Sequence, residues 1–360
     1  MKDYTITELN ISQQGLVKLP DDIHLYTNLT YLYCHNNQLT CLDNLPPKLT
    51  HLFCQYNQLT SLDNLPPTLR YLFCNDNQLT SLDNLPGRLK KLTCHFNELT
   101  SLDNLPDTLT YLMCNDNQLT TLDRLPPVLV SLFCGRNLFT SLENLPHSLT
   151  VLNCSYSRLK KLDHLPHTIT LLRCEYNHLT SLDHLPPTLT KLYCYDNHLK
   201  TLDHLPSTLT LLYCYRNQLT SLDHLPLSLS VLHCNNNHLT SLEKLPSSLT
   251  SLTCHNNKLT LLDNLPPKLV RLFCINNKLT SLYDLPETLD LWHFSCENNP
   301  LIYDFEPTLG NIREYNKQYY YRKIKPPLYK ENLIQKVFHP RRVSYYLYEY
   351  NYNILEDEVF

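Results

Sequence analysis

The cysteines are the residues of this sequence with the widest range of chemistry, and they recur at a fixed interval. Thirteen of the fifteen occupy every twentieth position, from Cys34 through Cys54 and Cys74 to Cys274. A zinc site needs ligands that converge on a tetrahedron, whereas this interval places the thiols in a line. Neighbouring thiols on stacked strands have parallel Cβ vectors, which do not fit a disulfide. We therefore predict reduced, buried thiols that pack as small hydrophobic side chains, with no metal and no cofactor.

A second column is acidic. Acids recur at the same interval from Asp43 to Asp263, all of them aspartate except Glu143 and Glu243. The residues that follow four of them are His164, His184, His204 and His224. Such a strip could hold divalent metal ions or respond to pH, because histidine titrates near neutrality. Aspartates in turns commonly accept backbone N–H bonds, and the sequence favours that interpretation, a solvated turn.

Motifs of catalysis do not occur in the sequence. It has no nucleophile elbow, phosphate-binding loop, zinc-protease helix or dinucleotide-binding fingerprint. Only four glycines are present, which argues against a loop that cradles phosphate. We therefore predict no catalytic residues and a protein that is not an enzyme.

These columns belong to a single repeat unit, stated most plainly by Leu49–Thr68. A fixed period of this length indicates a solenoid. The segment around Leu52 and Cys54 predicts a short strand with these two residues inward and Phe53 and Gln55 outward. One strand per turn gives one parallel sheet of fifteen strands, counted from Ile11 to Cys296. The Pro-containing segment between strands predicts a thin outer face of extended or 3₁₀-like backbone.

An asparagine column follows the strands, with Asn57 and Asn77 as typical members. An inward amide can bond backbone groups that the bend leaves without partners, and stacked amides could also bond one another. Ser157 replaces one copy, and its hydroxyl reaches less far. We expect a local weak point there.

The chain divides into three parts. Residues 1–24 form an atypical first turn that caps the solenoid, 25–302 form the solenoid, and 303–360 form a Tyr-rich C-terminal segment. After a two-residue insertion, the pattern is expected to resume at Leu291, Phe294, Cys296, Asn299 and Leu301. The spacing between Leu333 and Tyr350 predicts a helical hairpin. This segment is either a cap on the core or a docking module for a partner.

Outward strand positions vary between repeats and are rich in aromatic residues. Tyr and Arg are common interface anchors, because they bury much area and keep a polar group. The alternative is that these rings only stack on one another across strands. We predict that the concave sheet face binds a protein. The predicted binding residues are Leu171, Arg173, Glu175, Tyr176, Tyr193, Tyr195, Leu211, Tyr213 and Tyr215, followed by Phe53, Tyr56, Tyr71 and Phe73.

The pattern Leu-x-x-Leu-x-Cys-x-x-Asn-x-Leu-x-x-Leu resembles the leucine-rich repeat signature over about residues 6–302. The short unit with Leu-Pro-x-x-Leu is similar to repeats of bacterial effectors. The combination of Cys, Asn-Gln-Leu-Thr and Leu-Asp-Asn-Leu-Pro is most similar to leucine-rich repeat proteins of giant viruses of the mimivirus type. The resemblance implies a curved solenoid used for protein recognition. Effectors of this kind often carry a ubiquitin-ligase domain with a catalytic cysteine, but no cysteine follows Cys296.

Charge and hydropathy narrow the partners and the location. A net charge of −4 gives no bulk attraction to nucleic acid or to anionic membranes. The first ten residues lack the apolar core of a secretory signal, and no stretch is apolar enough to span a membrane. We expect a monomer that is not secreted and works in the cytoplasm. If the chain is viral, this is the cytoplasm of the host cell. The alternatives are a self-assembling structural or virion protein and an adaptor that recruits cellular machinery through residues 303–360.

Overall fold

Each repeat folds as one short strand followed by a return turn. The computed structural model describes residues 3–122, 124–283 and 285–319. Within these residues the strands pair in chain order into one parallel sheet of fifteen strands, as predicted. The strands are β1 (Glu8–Asn10), β2 (Tyr31–Tyr33), β3 (His51–Phe53), β4 (Tyr71–Phe73), β5 (Lys91–Thr93), β6 (Tyr111–Met113), β7 (Ser131–Phe133), β8 (Val151–Asn153), β9 (Leu171–Arg173), β10 (Lys191–Tyr193), β11 (Leu211–Tyr213), β12 (Val231–His233), β13 (Ser251–Thr253), β14 (Arg271–Phe273) and β15 (Phe294–Ser295).

The pairing register follows the repeat length. Leu52 pairs with Leu72, its counterpart in the next repeat. The first turn is longer than a regular repeat, since Leu9 pairs with Leu32. The last turn carries the two-residue insertion, since Leu272 pairs with Phe294. Each strand residue pairs with the residue at the same position of the next repeat. Each outward side chain therefore lies beside its counterpart on the next strand.

The core is a set of stacked apolar columns. Leu52, Cys54 and Leu59 have no exposed surface, and their counterparts in the other regular repeats are buried as well. The inward orientation predicted for Leu52 and Cys54 is confirmed. All fifteen cysteines are free, and the thiol of Cys54 donates to the carbonyl oxygen of Phe73 on the next strand, at 3.4 Å. Burial raises the pKa of Cys34 to about 12 and holds the pKa of Cys54 well above its ordinary value.

The convex side consists of extended segments and single turns. In a typical repeat the N–H of Leu49 donates to the carbonyl of Pro46 at 3.3 Å, which closes one 3₁₀-type turn. The hydroxyl of Thr68 donates to the carbonyl of Leu49 in the preceding repeat, at 2.7 Å. Short 3₁₀ helices occur at Ile23–Leu25 and Leu291–His293. The predicted thin outer face is confirmed.

The asparagine column bonds backbone rather than itself. The amide of Asn57 donates to the carbonyls of Cys34 and Cys54, at 3.1 and 3.0 Å. Its Oδ1 accepts the N–H of Leu39 at 3.0 Å. Asn77 repeats the pattern one turn later. Both amide hydrogens are used on backbone, so the expected bonds between stacked amides are wrong for this column.

At Ser157 this network is interrupted. Its hydroxyl lies 3.5 Å from the carbonyl of Ser155, a contact at the limit of hydrogen bonding. By register, an asparagine here would bond the N–H of Phe139 and the carbonyl of Cys134. In the described part of the chain, no side chain reaches that N–H. The geometry supports the expectation of a weak point, which stays a prediction.

The solenoid ends in a helix that covers the last turn. Helix α1 spans Leu309–Tyr319. Leu309 and Ile312 are buried in the core, and Arg313 donates to the carbonyl of Leu289 at 3.2 Å. No helix in the described residues is long and apolar enough to cross a membrane. The hairpin predicted between Leu333 and Tyr350 lies outside the described residues.

The position of the insertion differs from the prediction. Leu291 is 68% exposed and lies in the 3₁₀ turn, whereas Leu289 continues the leucine column and is buried. The two extra residues therefore lie after Leu289. The expectation that Leu291 resumes the pattern is wrong, because two leucines close together both fit the periodicity and only one can face the core.

Candidate protein-recognition face

The concave face is the outward side of the sheet. Strand alternation places residues such as Leu171 and Arg173 outward, on either side of the buried Leu172. Neighbouring strands are about 4.8 Å apart, so outward rings at one position stack along the sheet. The rows on this face are half-buried for most of their length. The face therefore presents ring edges and polar tips to solvent.

The C-terminal half of the face carries what we call the tyrosine patch, formed by Arg173, Tyr193, Tyr195, Tyr213 and Tyr215. The guanidinium of Arg173 lies over the ring of Tyr193, 4.9 Å from its centroid. The rings of Tyr193 and Tyr213 meet edge to face with centroids 5.1 Å apart. Tyr195 and Tyr215 stack at 4.2 Å. The sequence placed these five side chains in one set, and the structure brings them together.

The hydroxyl groups of Tyr195, Tyr213 and Tyr215 stay protonated at neutral pH. Burial raises the pKa of Tyr195, of Tyr213 and of Tyr215 above the ordinary value for tyrosine. A hydrogen bond to Tyr156 raises the pKa of Tyr176 to about 12. Each hydroxyl can therefore donate or accept a hydrogen bond across an interface.

Tyr176 lies beside the patch rather than on the sheet. It follows β9 in a turn with a φ of 54°. Its ring stacks on that of Tyr156 at 4.1 Å and meets that of Tyr195 edge to face at 5.5 Å. Leu171 and Leu211 lie on the first outward row and are half-buried. These residues extend the patch to both ends of the strands.

Glu175 is buried and so cannot contact a partner as predicted. Only 1% of its surface is exposed. Arg173 bends over it and donates from Nε and Nη2 to Oε1, at 2.9 and 2.6 Å. The prediction failed because alternation gives only the direction of a side chain and not what covers it. The role the structure gives Glu175 is to hold the guanidinium of Arg173, whose plane lies over Tyr193.

A second aromatic set lies at the N-terminal end of the face. The rings of Tyr33, Phe53 and Phe73 stack with centroids 4.5 and 4.6 Å apart. In the row beside them, His51 lies between Tyr31 and Tyr71 at 4.0 and 4.3 Å. Burial lowers the pKa of His51, so the imidazole is neutral in this stack at neutral pH. Tyr56 is separate, because it lies in a turn with a φ of 57° and is 52% exposed.

The alternative interpretation is that the outward rings only stack on one another. Stacking covers only part of the surface of these rings. The rings do stack on one another, so one face of each ring is used within the chain. The residues of the tyrosine patch are still only half-buried. Stacking therefore fixes the rings in place and leaves their edges and hydroxyls accessible.

Charges at the C-terminal ends of the strands are matched across neighbouring repeats. Arg136 lies 3.7 Å from Asp116 and over the ring of Tyr156, 4.4 Å from its centroid. Arg216 lies 3.6 Å from Asp196. These side chains were not among the predicted site residues, although the alternation of Asp and Arg at one repeat position was visible in the sequence.

Metal-binding geometry is not found among the described residues, where no three His, Cys, Asp or Glu side chains cluster as ligands. His164, His184, His204 and His224 are exposed on the convex side. The described aspartates of the acidic column are exposed there as well.

Several known structures share this architecture. YopM from Yersinia enterocolitica WA-314 is 36% identical, with a TM-score of 0.78, over 84% of this chain and 67% of that chain. YopM from Yersinia pestis, described as a leucine-rich effector protein, is 35% identical, with a TM-score of 0.74, over 84% of this chain and 86% of that chain.

This chain is a leucine-rich repeat protein.

A third known structure is also similar to this chain. The functional domain of InlJ from Listeria monocytogenes, described as including a cysteine ladder, is 34% identical, with a TM-score of 0.67, over 77% of this chain and 64% of that chain. No family model matches the chain, and no curated protein matches it. Leucine-rich repeat folds of this kind are scaffolds for protein–protein interaction and are generally not enzymes.

Proposed function

We propose that this leucine-rich repeat protein binds a protein partner on its concave face, with the tyrosine patch at the centre of the interface. The observation that carries the proposal is the clustering of four tyrosines and one arginine on, or two residues after, the three adjacent strands β9, β10 and β11, with rings fixed by mutual contact. Rigid aromatic side chains lose little conformational entropy on binding and bury a large area. The N-terminal residues Phe53, Tyr71 and Phe73, together with Tyr56, extend the same surface.

The test is capture from eukaryotic-cell lysate with the tagged chain as bait. In the variant Tyr193→Ser/Tyr213→Ser, proteins held by the wild type should fall by about tenfold or more, because central aromatic anchors each contribute about 2 kcal/mol or more to binding. The control Leu227→Ser/Leu261→Ser removes exposed apolar side chains outside the patch and should capture as the wild type does. Capture unchanged in the tyrosine variant, with an unchanged melting midpoint, would contradict the proposal.

The finer parts of the proposal concern source and state. We infer a non-enzymatic monomer that works in the cytoplasm of a host cell and binds neither nucleic acid nor membrane. The effector description of Yersinia pestis YopM supports a partner that belongs to a host. A giant-virus origin rests on the sequence resemblance alone.

Two other functions make different predictions. A self-assembling structural protein would show a mass that rises with concentration in analytical ultracentrifugation, and the tyrosine variant would reduce it. An adaptor would lose its captured proteins when residues 320–360 are removed and keep them in the tyrosine variant. A mass that does not change with concentration, together with capture that is lost in the tyrosine variant, would exclude both the structural protein and the adaptor.

A further inference from the structure

A cluster of cations lies at the N-terminal ends of β3, β4 and β5, away from the tyrosine patch. It consists of Lys48, Arg70, Arg88 and Lys90, which we call the basic edge. All four side chains are exposed. The N–H of Lys90 donates to the carbonyl of Arg70 at 2.8 Å, which places these two residues on adjacent rungs. Lys48 and Arg88 lie on a neighbouring row of the same three repeats.

The basic edge differs from three arginines at the C-terminal ends of the strands in having no carboxylate within ion-pair distance among the described residues. Arg136, Arg173 and Arg216 each lie within 4.0 Å of a carboxylate. Among the described residues, none of the four cations of the basic edge forms an ion pair. Like charges on adjacent rungs repel, and most other repeats have neutral Thr, Ser or Val at these positions. An external anion would therefore meet these cations without competition from a carboxylate of the described residues.

A cleft of about 480 Å³ joins the basic edge to the aromatic stack beside it. Its lining includes Lys48, Arg70 and Arg88 together with Tyr31, His51 and Tyr71. An anion in the cleft would meet guanidinium groups that can bind a carboxylate through two parallel hydrogen bonds. Apolar groups next to that anion would meet the edges of the stacked rings.

We propose that the basic edge binds a short acidic peptide segment of a partner protein, with carboxylates on Arg70, Arg88 and Lys90. The size of the cluster supports a short segment. Three strands span about 10 Å, which is the length of about three extended residues. Acids lie beyond the cluster in both directions along the sheet, with Glu8 on β1, two strands before β3, and Asp107 just before β6, which is next to β5. A long polyanion such as nucleic acid would meet these acids on both sides.

This inference adds a second site to the proposed function and does not depend on the tyrosine patch. A labelled peptide that carries glutamates and phenylalanines replaces the unknown partner, and fluorescence anisotropy measures its dissociation constant. The same peptide with glutamine at each glutamate tests the need for charge. The Tyr193→Ser/Tyr213→Ser variant should bind the acidic peptide as the wild type does, so that failure of the tyrosine patch leaves this site standing.

The variant Arg70→Gln/Arg88→Gln/Lys90→Gln tests the site itself. It should bind the acidic peptide about tenfold more weakly, the combined effect expected of three exposed ion pairs. The control Lys244→Gln/Lys258→Gln/Lys268→Gln makes the same change in net charge at exposed lysines elsewhere, and should stay within about twofold of the wild type. The melting midpoint of the basic-edge variant should equal or exceed that of the wild type, because repulsion is relieved.

Three results would overturn the proposal. Equal loss of binding in the two charge variants would mean that only net charge matters. Equal affinity for the glutamate and glutamine peptides would mean that carboxylates are not recognised. Tighter binding of single-stranded DNA than of the acidic peptide, lost in the basic-edge variant, would assign the site to nucleic acid.

Discussion

The two sides of each strand follow opposite rules. On the inner side, Leu192 and Cys194 repeat the residues and contacts of the strands before and after them, and both are fully buried. On the outer side of the same strand, Lys191 and Tyr193 differ from the residues at the same positions on most other strands. Identical inner contacts stabilise any number of turns, because each repeat needs only to match its neighbours. The outer side is thus free to carry recognition without a cost to the fold.

The largest expected effect of this difference is on how stability depends on pH, because the thiols of the inner side are buried. Burial raises the pKa of Cys34 to about 12, and the pKa values of the other column thiols lie well above their ordinary range. In the unfolded chain these thiols ionise above about pH 8.5. Their contribution to stability is therefore complete below pH 8.5 and is lost as the pH rises toward 12. In that window each thiol lowers the free energy of unfolding by about 1.4 kcal/mol per pH unit.

We expect the melting midpoint, measured by circular dichroism with reductant present, to fall steeply between pH 8.5 and 10. Over that interval, the summed loss from a dozen such thiols exceeds the free energy of unfolding of an ordinary domain. The variant Cys114→Ala/Cys134→Ala/Cys154→Ala should show a shallower decline. A midpoint that stays constant up to pH 10 would mean that the thiols are not buried in solution.

A smaller effect separates two adjacent leucines on β9. Leu172 is fully buried, whereas Leu171 is half-buried on the concave face. Leu172→Ala should lower the free energy of unfolding by about 2–5 kcal/mol, because it leaves a cavity in the core. Leu171→Ala should cost under about 1 kcal/mol. Urea denaturation measures both, and equal losses would contradict the division between the two sides.

The smallest effect compares the intact asparagine column with its one interruption. Asn177 donates to the carbonyls of Cys154 and Cys174 at 3.0 and 3.1 Å, and its counterpart Ser157 makes only a contact of 3.5 Å. Ser157→Asn should raise stability by about 1 kcal/mol and Asn177→Ser should lower it by about 1–3 kcal/mol. Thermal unfolding gives both values. A lower midpoint for Ser157→Asn would show that this repeat has adapted to serine.

The inner columns could be predicted from sequence because each depends on a period. Alternation within a strand and the constant repeat length place Leu52, Cys54 and Asn57 without knowledge of any contact. The burial of Glu175 could not be predicted in this way, since it depends on how Arg173 bends. The basic edge was not predicted because Arg70 and Lys90 come just before β4 and β5 and so lie outside the alternation within the strands. Comparison of charge at equivalent positions of all repeats would have revealed it.

The insertion shows another limit of periodicity. Leu289 and Leu291 are two residues apart, and either could continue the leucine column by sequence spacing. Only packing against the last turn determines which of them faces the core. Helix α1 was not predicted, because the helical spacing in the sequence lies between Leu333 and Tyr350, outside the described residues. Helix α1 is held by Arg313 and by Asn316, which donates to the carbonyl of Leu282 at 2.9 Å. Such contacts depend on side-chain reach, which a pattern of residue types does not contain.

The most direct test of the account is hydroxyl-radical footprinting of the chain alone and in complex with a captured partner. The account predicts that oxidation of Tyr193, Tyr213 and Tyr215 falls in the complex. Oxidation of Leu227 and Trp292, which are 84% and 89% exposed outside the tyrosine patch, should stay the same. Protection confined to Leu227 or Trp292, with the tyrosines oxidised as in the free chain, would contradict recognition on the concave face.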